Sequence, residues 1–305
     1  MSTVSQTQIG ILGAGLIGAA WAALFKHHGA KVVVWDPSQD ALDALDARTE
    51  VPLAQLAELT GHPATGQIEA TQSLEEAVRG AALVQENAPE NIALKHELYA
   101  QVEELVESTT ILASSASGLT WSDLAPALKD PTRLITAHPF NPPHLIPLVE
   151  LYGPDPATLD RAEEIYQAVG RKPVRLNKGA TGHIANRLAS ALWREAVHIV
   201  AEGIADVEAV DAALTNGPGL RWSVQGAHMS YHLGGGSGGL ADYLSHLGPS
   251  QERRWSTLGT PSLTPELCDT LVSGVLKEAD GKSIAELEEI RDAALIATLK
   301  LRGNG

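Results

Sequence analysis

Apolar and polar positions along the first half of the chain alternate between two rhythms. Short apolar runs at Gln8–Leu12, Lys31–Trp35, Ala82–Gln85, Thr110–Ala113 and Arg133–Ala137 have the length and β-branched content of strands. Stretches with apolar positions at helical spacing separate some of them, at Leu16–His28 and Ile92–Val106. Two late runs, Leu148–Leu151 and Pro173–Leu176, flank a further helical stretch at Pro156–Val169. Strands alternating with helices predict an α/β fold with a parallel, doubly wound sheet of Rossmann type. After Asn177-Lys-Gly-Ala-Thr-Gly182 the strand-like runs stop, and Ile184–Gly203, Val207–Leu214, Thr264–Lys277 and Ile284–Leu301 read as helices. We therefore expect residues 1–178 to form the sheet domain and residues 179–305 an all-α C-terminal domain. The glycine-rich run Gly234–Gly239 reads as flexible, either a mobile substrate loop or a connector.

A chain of 305 residues exceeds what one core usually serves, which agrees with two domains. No apolar run reaches the roughly 18 residues of a membrane span, and the polar Met1–Thr7 stretch lacks the basic and apolar regions of a signal peptide. Twenty-two basic against 37 acidic residues give a formal net charge of −15, which repels phosphate backbones and anionic membranes. The single cysteine, Cys268, excludes an internal disulfide framework and fits a reducing cytoplasm. No His, Cys, Asp and Glu cluster has metal-ligand spacing, so no metal is expected.

Chemistry enters with Gly10-Ile-Leu-Gly13-Ala-Gly15-Leu-Ile-Gly18, a strand, a G-x-G-x-x-G turn and a helix start. In such a turn Gly13 permits the tight bend, Gly15 lets the backbone approach a pyrophosphate, and Gly18 lets helix and strand pack closely. The next strand ends in Asp36, about 20 residues on, where an acid accepts both ribose hydroxyls of an adenosine. A carboxylate there repels a 2′-phosphate, and Pro37–Asp43 supply no arginine, so the expected cofactor is NAD rather than NADP. Ala137-His138-Pro-Phe-Asn141-Pro follows another strand, and Glu150 lies twelve residues beyond His138. An acid that holds a histidine is the arrangement alcohol oxidation needs. Spacing alone does not pair these two, since most histidine–glutamate neighbours in sequence are unrelated.

Taken together with Glu90 and Lys95, Ser114-Ser-Ala-Ser117-Gly-Leu, Pro147-Leu-Val-Glu150 and Gly182-His-Ile-Ala-Asn186-Arg-Leu, these motifs resemble the 3-hydroxyacyl-CoA dehydrogenase family from Ile9 to the C-terminal helices. The resemblance implies His138 as general acid/base, Glu150 as its orienting carboxylate, and Ser117 and Asn186 as groups on the reacting oxygen. It also implies Glu90, Lys95 and Asn141 around the nicotinamide half of NAD, and a helical domain that makes a homodimer. The family's lysine-rich segment for coenzyme A has no counterpart. Between Lys31 and Lys95 the only basic residues are Arg48, Arg79 and the histidine His62, among Asp40, Asp43, Asp46, Glu50 and Glu58. A small free 3-hydroxy acid is the expected substrate. Within the family, Ala191-Leu-Trp193-Arg-Glu-Ala, Gly219-Leu-Arg221-Trp222-Ser and Ser283–Asp292 are similar to the carnitine dehydrogenase branch, with the L-gulonate 3-dehydrogenase and lambda-crystallin branch next. That similarity implies Trp193, Trp222 and Tyr231 facing a trimethylammonium group and Arg221 pairing with a carboxylate. His144 and His228 depart from the branch's pattern, standing where it has aromatics.

Overall fold

The computed structural model describes residues 4–5 and 7–303, so most of the N-terminal segment read above for a signal peptide lies outside the described residues. Eight strands form one sheet: β1 Gln8–Leu12, β2 Lys31–Trp35, β3 Gln67–Thr71, β4 Leu83–Glu86, β5 Ile111–Ser114, β6 Leu134–Pro139, β7 Leu148–Tyr152 and β8 Lys172–Arg175. Their order is β3-β2-β1-β4-β5-β6-β7-β8. The strand order reverses between β1 and β4, the crevice where open α/β sheets bind ligands.

Helices cover both faces. On one, Leu16–His27 and Pro156–Ala168 bring Trp21 and Tyr166 together at 5.5 Å, against Ile9, Val32 and Ile135. On the other, Ile92–Leu105 buries Leu98, Tyr99 and Val102 over Val84 and Leu112. Such aromatic pairs add roughly 0.5–1.5 kcal/mol beyond the area they bury.

The sheet departs from a purely parallel one at one place. β7 pairs with β6 antiparallel, while every other pairing is parallel. The physical reason is the link. Residues 140–147 are too few for a parallel crossover, which needs about a dozen or more. The register sets His138 directly opposite Glu150.

Sequence periodicity did not reveal β3 or the Leu45–Thr60 helix, nor Pro218–Trp222, Ala227–Gly234 and Gly239–Trp255. The glycine run is not a flexible loop. Gly234 ends one helix, Gly236–Gly238 form a 3-10 turn, and Gly239 starts the next helix at φ +62°.

The chain divides into two compact units, residues 1–187 with 289–305, and residues 188–288. In the first, Ile296 and Leu299 of the Ile284–Leu301 helix pack on Leu59 and Leu145. The second is helical, and Trp193, Leu220, Val224, Val272, Val275 and Leu276 remain exposed on it.

Candidate active site

The glycine turn closes because two of its positions, Gly13 and Gly18, tolerate nothing larger. Gly13 sits at φ +98°, and a Cβ there would come within 3.0 Å of the Asn87 carbonyl. A Cβ on Gly18 would lie 1.9 Å from the Gly13 carbonyl oxygen. Gly15 caps the Leu16–His27 helix with no side chain, and a Cβ there would meet nothing within 4 Å. An open approach to free N–H groups at a helix start is what a pyrophosphate requires. Asp36 fixes the turn from the next strand: Oδ2 accepts from Ala14 N at 2.9 Å and Oδ1 from Ser38 N at 2.9 Å. Arg48 grips the same turn from the other side, donating to the Ala14 carbonyl at 2.8 Å. The cleft beside this turn, about 630 Å³, is lined by Gly13, Gly15, Asp36, Asn87, Pro89 and Leu94. A dinucleotide's adenosine half fits residues of this kind.

A second cleft of about 600 Å³ shares Asn87, Ala88 and Pro89 with the first. It gathers Glu90, Lys95, Ser117, His138, Asn141 and Asn186, residues separated by up to two strands of the sheet. His138 Nδ1 lies 3.0 Å from Glu150 Oε2, and both side chains are buried. Glu150 Oε1 accepts from Ile184 N at 2.7 Å and Ala185 N at 2.9 Å, where the Ala185–Ala201 helix begins. Burial alone pushes the Glu150 carboxyl up. The hydrogen bonds from His138, Ala185 and Ile184 outweigh it and hold the group below the usual carboxylate range. An ionised Glu150 can only accept, so His138 carries its hydrogen on Nδ1 and its basic lone pair on Nε2. That is the tautomer a proton acceptor needs.

Glu90 reaches across to the β5 loop. It accepts from the Ser117 hydroxyl at 2.9 Å and from Gly118 N at 3.0 Å. A Cβ on Gly118 would lie 2.6 Å from Glu90 Oε2, so this approach depends on glycine. Burial raises the Glu90 carboxyl, but the hydrogen bonds from Gly118 and Ser117 and the Lys95 charge hold it below its ordinary value. Lys95 is buried, pairing with Glu86 and donating to the Ala88 carbonyl at 2.9 Å. Asn141 and Phe140 reach the cleft from the β6–β7 link. Arg171 pins that link, donating to the carbonyls of Pro143 at 2.9 Å and Ile146 at 3.2 Å. His144, in the same link, turns away to Gln55 at 2.6 Å, and Gln55 donates to Asp292 at 3.0 Å.

The sequence model of the 3-hydroxyacyl-CoA dehydrogenase NAD-binding domain matches residues 8–179, and that of the C-terminal domain matches residues 182–275. The chain belongs to the 3-hydroxyacyl-CoA dehydrogenase family. It is an NAD-dependent oxidoreductase of the CH–OH donor class. Among its relatives, the L-carnitine dehydrogenase of Streptomyces griseus is 43% identical over 302 residues, covering 97% of this chain and 90% of that one. The L-carnitine dehydrogenase of Streptomyces coelicolor is 40% identical over 301 residues, covering 97% and 95%. Among solved structures, 5-formyl-3-hydroxy-2-methylpyridine 4-carboxylic acid 5-dehydrogenase, an NAD+-dependent dismutase, superposes with a TM-score of 0.83. It is 27% identical and covers 97% of this chain and 98% of its own.

In this 3-hydroxyacyl-CoA dehydrogenase family member the cofactor and acid/base residues expected from sequence fall in the first unit, at two adjoining clefts. The substrate residues expected from the carnitine branch fall in the second. There Trp193 lines an apolar groove with Val207, Val272 and Leu276, Tyr231 packs on Tyr243 at 5.0 Å, and Arg221 and Trp222 lie on the short Pro218–Trp222 helix. Sequence reasoning missed Glu86, the buried partner of Lys95, and Arg48, which holds the glycine turn. An acid two residues after the apolar run at residues 81–84 was the available signal for the first. Nothing in the sequence pointed to the second, because its partner is a backbone carbonyl.

Proposed function

We propose that this family member oxidises L-carnitine to 3-dehydrocarnitine with NAD, and that His138 is its general base. The observation that carries the reading is the His138–Glu150 pair at 3.0 Å, its free Nε2 belonging to the residue that lines the cleft with Ser117, Asn141 and Asn186. NAD, when bound, would supply the hydride acceptor for C3. His138 Nε2 accepts the hydroxyl proton as the carbonyl forms, and Glu150 stabilises the imidazolium through Nδ1. The Asn186 amide donates to the oxygen as charge builds on it. Ser117 joins it on releasing Glu90, to which its hydroxyl now donates. Glu90, Lys95 and Asn141, which line this cleft, would hold the nicotinamide half of the cofactor.

Near-full-length relatives named L-carnitine dehydrogenase support the substrate, as does the shortage of cations for coenzyme A. Of the basic residues between Lys31 and Lys95, Arg48 is spent on the Ala14 and Ala41 carbonyls and Arg79 is paired with Glu75. His144 is bound to Gln55 and is not among the residues that line the His138 cleft. Trp193, Trp222 and Tyr231 are proposed as aromatic faces for the trimethylammonium group and Arg221 for the carboxylate.

We place the cofactor domain at residues 1–178 and the substrate and dimerisation domain at 179–305. A homodimer would cover Val272, Val275 and Leu276 of the Pro265–Ala279 helix and Ile290, which are 53–66% exposed. Sedimentation at micromolar protein checks this, with a monomer as the contrary result. We propose a cytoplasmic location; among the described residues no helix is long and apolar enough to cross a membrane. NADH formation from L-carnitine, L-gulonate, 3-hydroxybutyrate and 3-hydroxybutyryl-CoA tests the function. Highest kcat/KM on L-carnitine is expected. No NADH from millimolar L-carnitine at alkaline pH, with clear turnover of an uncharged 3-hydroxy acid, overturns it.

A further inference from the structure

His183 belongs to none of the roles assigned above, yet it touches three parts of the site. It is buried, 2% exposed, and its ring centroid lies 4.7 Å from that of His138 at an interplanar angle of 39°. Nε2 is 3.1 Å from the Ala116 carbonyl, in the loop that carries Ser117. A carbonyl only accepts, so the hydrogen is on Nε2. Nδ1 is then a buried lone pair, with no hydrogen-bond partner. The backbone is equally committed. His183 sits at φ +48°, a left-handed conformation that few residues other than glycine, asparagine, aspartate and histidine adopt readily. That bend turns the chain so that the next two N–H groups, Ile184 and Ala185, both meet Glu150 Oε1.

We infer that His183 is the positioning residue of the His138–Glu150 pair, its ring fixing the plane of His138 and its left-handed backbone aiming Ile184 N and Ala185 N at Glu150. The inference rests on His138 being the general base. A neutral ring serves this purpose, because a charged one would repel the imidazolium that forms on His138. Burial, with His138 facing it, lowers the His183 imidazole below its ordinary value, against the Ala116 carbonyl and the carboxylates of Glu150 and Glu90. The orphan Nδ1 is kept although an unpaired buried acceptor is unfavourable. Strain and an unmet hydrogen bond in one residue are features that concentrate at functional sites.

The test uses His183→Asn, which accepts the left-handed backbone but removes the ring, and His183→Phe, which restores an aromatic face while straining the left-handed backbone. Displacing a reacting group by about 1 Å costs roughly 10²-fold in rate. We expect His183→Asn to lower kcat by about that factor, with KM for the 3-hydroxy acid and the NADH dissociation constant within about threefold of wild type. His183→Phe should recover only the part of the loss that the ring carries, since its backbone is strained at this position. In proton NMR the downfield Nδ1–H resonance of His138 expected in wild type should shift or broaden in His183→Asn and move back toward wild type in His183→Phe. An unchanged kcat and an unchanged resonance in His183→Asn overturn the inference. So does a fall in NADH affinity that matches the fall in kcat, which marks a purely structural role. If either protein fails to fold, the resonance and kinetics of the other decide. His138→Ala is run alongside: if it keeps wild-type turnover, the general-base reading itself fails. If it loses turnover while His183→Asn does not, only the positioning role of His183 fails.

Discussion

Replacing Glu150 by glutamine separates geometry from charge at the site. The carboxylate is 1% exposed and accepts three hydrogen bonds, from His138 Nδ1 and from the Ile184 and Ala185 backbone. A glutamine has the same shape, and its carbonyl oxygen can keep the two backbone donors. Its amide nitrogen then faces His138, where it donates instead of accepting. Nδ1 must become the acceptor, which moves the imidazole hydrogen to Nε2 and blocks the lone pair that takes the substrate proton. In a serine-protease triad the equivalent carboxylate-to-amide change lowers kcat by about 10⁴ through this wrong tautomer. General-base help is worth ~10²–10⁴, so we expect Glu150→Gln to lose about 10³–10⁴ in kcat. The glycine turn and Asp36 are untouched, so NADH affinity should stay within about threefold. The assay is NADH absorbance across pH, with NADH binding by fluorescence. Because the Glu150 carboxyl is held below its ordinary value, it stays ionised above the usual carboxylate range, and its stabilisation is lost only as pH falls through its folded value. The activity loss of Glu150→Gln must therefore persist at neutral and alkaline pH. Turnover within tenfold of wild type there would refute the tautomer argument.

Gly18→Ala should abolish NADH binding or folding, since its Cβ would sit 1.9 Å from the rigid Gly13 carbonyl; wild-type NADH affinity by fluorescence would contradict the packing argument. Asp36→Ala should weaken NADH by roughly 10–100-fold, the worth of charge-assisted hydrogen bonds, without weakening NADPH; binding titrations with both cofactors decide. His27 is held down to about 4, first by burial and then by the charges of His28 and His62. The unfolded chain binds that proton at a higher pH, so stability should fall as pH drops from about 6.5 to about 4, and His27→Gln should flatten that part of a melting-temperature profile.

Elements whose signal is local are legible in the amino-acid sequence. The bounds of β1 and β2 fall where the apolar runs do, because those strands are covered on both faces and read as unbroken apolar stretches. β3, Gln67-Ile-Glu-Ala-Thr71, is an edge strand with one neighbour and no fully buried residue, so neither alternation nor continuity marks it. The Leu45–Thr60 helix carries Pro52 in its interior, and its buried face, Leu45, Thr49, Leu56 and Leu59, includes a polar residue. The Gly239–Trp255 helix begins in glycines and contains Pro249, so composition pointed to a loop. Proline and glycine argue against a helix only until tertiary packing overrides propensity.

The candidate site shows the same division more sharply. The side chains that meet in the cleft were legible through the motifs that resemble the 3-hydroxyacyl-CoA dehydrogenase family, most of which lie near a strand end or a helix start. What joins them was not, because it depends on register and backbone. His138 and Glu150 are neighbours only because residues 140–147 are too short to cross over, which forces an antiparallel pair and sets the two side chains opposite each other. A link long enough to carry a helix would allow a parallel β7, and the same two residues would then have no reason to face one another. Arg171 holds that link by backbone carbonyls alone, and Ile184 and Ala185 hold Glu150 by backbone N–H groups. Such bonds leave no trace in side-chain identity, since any residue supplies them. The catalytic pair is thus specified less by the two residues than by the length of the segment between them and by the bend at His183.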